Sequence, residues 1–219
     1  MVSPNLLSGV GLGFSFGAIA FDLLTALVDS WSVYAAVTGD EARGRAWRLA
    51  SLRMVTAAGG YRPYEGVLRE AAQEVGLPAA KADELIGRWS EIRPWPEVPA
   101  VLRRLEARRL AILTNCSQRL ADIAAAATGG RFELVLSAER AGAYKTDPRA
   151  YRAVVDALGL PAEQILFVAG SPHDVKGAPA VGMPVFWQNR ARLPVPEGAP
   201  APLVDAPDLS GLPGLVGAR

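Results

Sequence analysis

The sequence predicts an α/β fold: a doubly wound, parallel, Rossmann-like sheet with a small helical cap domain inserted after the first strand. Three observations lead there. Short apolar runs at Ala18–Leu23, Leu110–Asn115 and Ile165–Ala169 read as strands buried on both faces of a parallel sheet. From Glu97 onward such runs alternate with helical stretches, the pattern of βα units. Between the first strand and the second, about seventy residues carry helical signals and no strand signal. That is far more than one crossover helix requires.

Taken in order, Met1 to Gly13 reads as a loose, Gly/Ser-rich apolar leader. A long helical region runs from about Ser32 to Ala57, broken near Thr38-Gly39-Asp40 and ended by Gly59-Gly60 and Pro63. Helices over Tyr64–Val75 and Ala79–Glu91 follow, separated by Gly76-Leu77-Pro78, and Pro94, Pro96 and Pro99 mark a connector. The second half alternates. Helices are expected at Glu97–Arg108, Gln118–Ala127, Asp147–Leu158 and Asp174–Val181, with Pro148 in the first turn of the third. Strands are expected at Leu110–Asn115, Phe132–Ser137, Ile165–Ala169 and Pro184–Gln188. The tail from Leu193, rich in Pro, Gly and Ala, offers at most a surface strand or helix turn. The core domain is therefore expected over residues 14–32 and 97–219, with the cap over residues 33–96.

Composition excludes several classes of function. Lys and Arg number 23 against 22 Asp and Glu, for a formal net charge of +1 and no basic run. That gives no electrostatic case for nucleic acid or an anionic membrane. One Cys and one His cannot build a zinc cluster, and the lone Cys116 fits a reducing compartment. The N-terminus lacks the Lys or Arg of a signal peptide, and no apolar stretch is long enough to span a membrane. A cytoplasmic protein acting on a small molecule is expected, and a homodimer is compatible with the sequence.

Function is expected where polar residues end apolar strands, since ligands of open α/β sheets bind at the carboxyl ends. Asp22 ends the first strand, Thr114-Asn115 the second, Lys145 follows the third, and Asp174 follows the fourth. Each alone has an ordinary reading: a helix cap for Asp22 and Asp174, a turn hydroxyl for Thr114, a solvated loop lysine for Lys145. Together, a parallel sheet brings carboxylate, hydroxyl, ammonium and carboxylate to one edge.

The order Phe21-Asp22, Leu113-Thr114-Asn115, Tyr144-Lys145-x-Asp147 and Gly170-Ser-Pro-His-Asp174 resembles the haloacid dehalogenase superfamily, over roughly Ala18 to Arg190. Within it the chain is most similar to the L-2-haloacid dehalogenase branch. Phe21-Asp22-Leu23 with Asp29-Ser30 looks like that branch's opening motif, and Trp47-Arg48 like its Trp-Arg pair. Tyr151 stands six residues after Lys145, and Trp187-Gln-Asn189-Arg190 echoes the last strand. The resemblance implies Asp22 as a nucleophile forming an aspartyl ester and Lys145 keeping it ionised. It implies Asp174 positioning the hydrolytic water, and Arg48, Thr114 and Asn115 binding substrate. Leu24, Tyr151 and Ser171 complete the expected site, and no cofactor is implied.

Leu24 separates two chemistries. Phosphatases of the superfamily carry a second Asp two residues after the nucleophile, as acid for the leaving oxygen; leucine cannot donate a proton. A departing halide requires no such acid. The chain departs from the dehalogenase pattern at Leu24, Thr25, Ala26, Thr146, Ser171 and His173. Two alternatives therefore stand. One is a Mg²⁺-dependent phosphatase or phosphonatase with Asp22 and Asp174 on the metal. The other is a degenerate, non-catalytic binding member.

Overall fold

A computed structural model describes residues 15–218; the expected leader, Met1 to Gly13, lies outside them. Strand β1 is Ala18–Phe21 and β2 is Val28–Asp29, followed by α1 (Ser30–Thr38), α2 (Glu41–Ala58), α3 (Tyr64–Glu74) and α4 (Ala80–Gly87). Then come β3 (Arg93–Pro94), α5 (Val98–Arg104), β4 (Leu110–Thr114), α6 (Gln118–Ala127) and β5 (Leu134–Ser137). The chain ends with α7 (Ala138–Ala141), α8 (Pro148–Leu158), β6 (Ile165–Ala169), α9 (Pro172–Gly177), β7 (Val185–Gln188), β8 (Val204–Ala206) and α10 (Leu212–Leu215).

Six strands form one parallel sheet in the order β5-β4-β1-β6-β7-β8. From β1 the chain builds outward through β4 and β5, then crosses back to lay β6 on the other side of β1. That reversal is a topological switch point, and it puts the end of β1 beneath a natural crevice. Period-two alternation explains why the strands are apolar throughout. Ile19 and Phe21 face the layer containing α5, α6 and α10, whereas Ala18 and Ala20 face α8 and α9. Helix α8 matches that second face with Ala150, Tyr151, Val154 and Leu158, all buried on one stripe.

The expected break near Thr38-Gly39-Asp40 is real: Gly39 takes a left-handed conformation (φ 67°) as the cap of α1, and Asp40 N-caps α2. Helices α1 to α4 pack in a closed set, α1 on α2 and α4, and α3 on α2 and α4. They sit over the carboxyl edge of the sheet, where α2 contributes Arg48, Leu52 and Thr56 to a cavity shared with Asp22, Lys145 and Asp174. One expectation needs correction. The interval after β1 is not free of strands, because β3 pairs antiparallel with β2 (Val28 with Pro94, Asp29 with Arg93). The outgoing and returning chains must pass side by side to reach one insertion point, and the two-residue ribbon satisfies their backbone groups there.

Three indoles reinforce these junctions. Trp47 Nε1 donates to Leu68 O at 2.9 Å inside the cap, and Trp89 Nε1 to Leu120 O at 3.0 Å between cap and core. Trp95 Nε1 donates to Thr25 O at 3.1 Å, tying the returning chain to the loop after β1. Apolar packing is continuous from cap to sheet. Element ends shift from expectation by a few residues where a turn must form. The helix from Glu97 stops at Arg104, Trp89–Glu91 is a separate 3₁₀ turn, and α9 starts at Pro172 because Ser171 caps it. The tail does more than expected: β8 extends the sheet, and Leu209, Leu212 and Val216 are buried in the core.

Two glycines make opposite predictions. A Cβ on Gly44 would lie 2.6 Å from Ala35 N, a backbone contact that no side-chain motion relieves. Gly44→Val is expected to destabilise the fold by ~1–3 kcal/mol, as overpacking does. Gly66 in α3 has open space around it, so Gly66→Ala is expected to stabilise by ~0.5–1 kcal/mol. Denaturant midpoints of the two variants, read at unchanged slope, check both.

Candidate active site

Asp22 follows β1 directly, its N–H donating to Val168 O at 2.9 Å on β6. The next four residues turn back over it. Asp22 Oδ2 accepts from Thr25 N at 3.0 Å, from Ala26 N at 3.2 Å and from the Thr25 hydroxyl. This turn passes so close to the end of β6 that a Cβ on Gly170 would stand 2.3 Å from Ala26 N. Only glycine permits the approach. The other oxygen, Asp22 Oδ1, accepts from Lys145 Nζ at 2.8 Å.

Lys145 reaches on to Asp174, with Nζ 3.1 Å from Oδ2. Asp174 Oδ1 in turn accepts from the Tyr151 hydroxyl at 2.7 Å. The three charged groups are 6%, 4% and 1% exposed for Asp22, Lys145 and Asp174; charges so deep persist because they are paired and hydrogen-bonded. Every oxygen of the two carboxylates thus receives a hydrogen bond from the protein. Tyr151 gets its reach because Gly177 lacks a side chain: a Cβ there would lie 2.4 Å from the Tyr151 oxygen.

Burial pushes the Asp22 carboxyl up, but the Lys145 charge and the hydrogen bonds of Lys145 and Thr25 outweigh it, and Asp22 stays below the ordinary carboxylate value. Asp174 moves the other way: burial, joined by the neighbouring Asp22 charge, holds it above that value despite Lys145 and Tyr151. Burial opposes the Lys145 charge, yet Asp174 and Asp22 together raise it. Burial, then Asp174, keeps Tyr151 a neutral donor. Two carboxyls with diverging proton affinities in one site suit two different tasks.

The expected residues do not all play the expected parts. Asn115 lines the cavity, but its Oδ1 accepts from Lys145 N at 2.7 Å and its Nδ2 donates to Lys145 O at 2.8 Å. Its amide grips the Lys145 backbone on both polar atoms. Thr114 is fully buried with its hydroxyl 3.9 Å from Cys116 Sγ, outside the residues that line the cavity. Leu24 does line it. Ser171 lines it too, while its hydroxyl accepts from His173 N at 3.3 Å as the cap of α9.

Arg48 is 3% exposed, and its guanidinium lies over the rings of Trp31 and Tyr34 at 5.8 and 5.7 Å. Its Nε donates to Ser30 Oγ at 3.3 Å; among the described residues no carboxylate pairs with it. Its terminal nitrogens are thus available to an anion in the cavity. Ser30 was visible only as part of a motif, yet it links the halves of the site, its hydroxyl donating to Leu24 O at 2.6 Å. Leu52 and Thr56 also line the cavity. Their spacing, four and eight residues after Arg48, places them on the face of α2 that Arg48 marks. Gly170 and Gly177 carry no sequence signal for what they do.

A Mg²⁺ ion requires near-octahedral oxygen ligands. Here Lys145 lies between Asp22 and Asp174, bonded to both, and the Leu24 carbonyl accepts from Ser30. Among the described residues no other group of acidic, His or Cys side chains could hold a metal, and no helix is long and apolar enough to cross a membrane.

The family described as haloacid dehalogenase-like hydrolase matches residues 17–182. A haloacetate dehalogenase of a Moraxella species is 34% identical over 191 residues, 79% of this chain and 85% of that protein. A solved L-2-haloacid dehalogenase superposes with a TM-score of 0.82 at 32% identity, covering 93% of this chain and all of that one. A phosphoserine phosphatase of Thermus thermophilus is 36% identical over 155 residues, 65% of this chain and 61% of that protein.

Removing the central cation tests the electrostatics. Lys145→Met is expected to cost ~3–5 kcal/mol at pH 7, because two carboxylates are left buried without their partner. Both folded-state carboxyl values then rise above their unfolded ones, so the penalty exists above them and shrinks as pH falls. Unfolding measured at pH 7 and pH 5 should show the gap to wild type narrowing. In wild type, the Lys145 contribution is fully present below its ordinary 10.5 and is lost only as pH climbs through its raised value.

Proposed function

This chain belongs to the haloacid dehalogenase-like hydrolases, and we propose that it hydrolyses the carbon–halogen bond of short 2-halo carboxylic acids through an ester of Asp22. One observation carries the reading: Asp22 is held ionised and aimed by Lys145, Thr25 and Ala26 in the same cavity as the unpaired guanidinium of Arg48. An anionic nucleophile and an anion-binding group then stand on either side of a small substrate. A carboxylate so held needs no separate base to attack.

In this reading Arg48 takes the substrate carboxylate. An Asp22 oxygen bonds to C2 as the carbon–halogen bond breaks, and the halide leaves with the bonding pair. Water then adds to the Asp22 carboxyl carbon, and the 2-hydroxy acid departs with the oxygen that Asp22 supplied. Asp174, whose proton affinity burial raises, takes the proton from that water, and Tyr151 fixes its orientation. Lys145 balances both carboxylates throughout. Thr25, whose hydroxyl touches Asp22, supplies the brace that Ala26 lacks. No metal enters the reading, supported by the Lys145 position and by hydrogen bonds on all four carboxylate oxygens.

The phosphatase reading has the Thermus relative in its favour, but Leu24 deprives it of the leaving-group acid, a loss worth ~10²- to 10⁴-fold. A non-catalytic member has less support still, since the charges converge as catalysis needs. The net charge of +1 and the single buried Cys116 support a cytoplasmic setting and a small-molecule partner.

Single turnover of a 2-halo acid in ¹⁸O-water is expected to label Asp22 and leave the hydroxy acid unlabelled. Label in the first-turnover product would mean that Asp22 acts instead as a base for water. Asp22→Asn should abolish turnover without unfolding the chain, and turnover should survive a chelator. Arg48→Ala is expected to lower kcat/KM ten- to a hundred-fold, from the ~1.5–3 kcal/mol of a charge-assisted hydrogen bond. Arg48→Lys should restore only part, because a point charge lacks the planar fork.

A further inference from the structure

The catalytic cavity is small, about 30 Å³. A second cavity of about 320 Å³ adjoins it, and Thr25, Leu52, Ser171 and His173 line both. The outer cavity is walled by Trp31 of α1, Leu49 and Leu52 of α2, Trp95 of the returning chain, Trp187 of β7 and Leu193. Leu49 is 45% and Leu193 44% exposed. They are two of only four large apolar side chains so exposed among the described residues. Apolar side chains left open at both lips of one cleft mark a binding surface.

We propose that this outer cavity is a subsite for an aromatic ring on the substrate, so that the enzyme's substrates include 2-halo acids bearing an aryl group at C3. The inference rests on the dehalogenase reading for the chemistry and on the outer cavity for the class. In a pose with the carboxylate on Arg48 and C2 at Asp22, the residues common to both cavities give the C3 substituent a route toward the larger space. Three indoles line that space, and Arg45 lies over Trp31 at 5.3 Å and Arg190 over Trp95 at 4.3 Å, so an aryl ring meets indole edges and guanidinium planes, which favour it over a flexible alkyl chain at low ordering cost. Its volume falls at the lower end of small-ligand sites. The cap is fastened to the core by Trp89, Tyr144 and Glu65, so the cleft is a standing feature of the fold.

The test compares 3-phenylpropanoate with propanoate, by tryptophan fluorescence titration, and 2-bromo-3-phenylpropanoate with 2-chloropropanoate, by halide release. Wild type is expected to bind the phenyl acid roughly ten-fold tighter or more, and to release bromide from the aryl substrate. Leu49→Asp and, separately, Leu193→Asp should bring the binding ratio toward one; both sites are exposed, so both variants should fold. A wild-type ratio near one, or a ratio that neither variant moves, overturns the proposal. So does sedimentation showing a dimer that Leu49→Asp dissociates alongside such a ratio, since a second copy would then own the surface. Halide release from neither substrate, with the binding ratio intact and sensitive to Leu49, would reject the dehalogenase reading and leave an aryl-acid subsite.

Discussion

A single buried ammonium organises this protein's chemistry. Lys145 Nζ stands between Asp22 and Asp174, 2.8 Å from one and 3.1 Å from the other, where water is nearly excluded. Two carboxylates this deep repel each other and lose their hydration, and one cation cannot cancel both costs equally. The result is asymmetric. Asp22, with three further donors on its second oxygen, is the easily ionised partner; Asp174, braced only by Tyr151 besides the lysine, keeps its proton more readily. The difference follows from burial, from the Lys145 and neighbouring carboxylate charges, and then from the donors around each group.

That arrangement imposes demands on the scaffold. Lys145 has to arrive from a loop, so its backbone is clamped at both polar atoms by Asn115, at the end of a neighbouring strand. Tyr151 must cross α9, and it does so where Gly177 leaves room. The turn that caps Asp22 must lie on the end of β6, and Gly170 leaves room there. The flanking parallel strands β4 and β6, their registers set by buried apolar side chains, hold the loop ends in place.

The cap closes the site by covering the carboxyl edge with α2 and lending it Arg48. It is tied down by more than its connecting ribbon. Ser117 donates to Glu65 at 2.7 Å, the Tyr144 hydroxyl to Arg62 O at 2.7 Å, and Trp89 to Leu120 O. Ser30 matters most among these links, because its one hydroxyl donates to the carbonyl of Leu24 and accepts from Arg48. The Arg48 guanidinium on the cap is thereby held in register with the loop that follows Asp22.

The sequence by itself determined the parallel sheet, the helical insertion and the four strand ends that carry the site. These are written in local signals: apolar runs, a cap at Asp147, and breaks at Gly and Pro. A resemblance of ordered motifs supplied Arg48 and Tyr151. What only the tertiary structure decided is which of those residues touch which. Asn115 and Thr114 are adjacent in the chain, yet one grips a backbone and the other packs on Cys116. Ser30 and Gly177 matter through partners 18 and 26 positions away. The ribbon of β2 and β3 joins segments of two residues each, too short to leave a pattern. Periodicity reports on a residue's own element and on its burial. It is silent on contacts between distant segments, and in this site those contacts set both charge and aim.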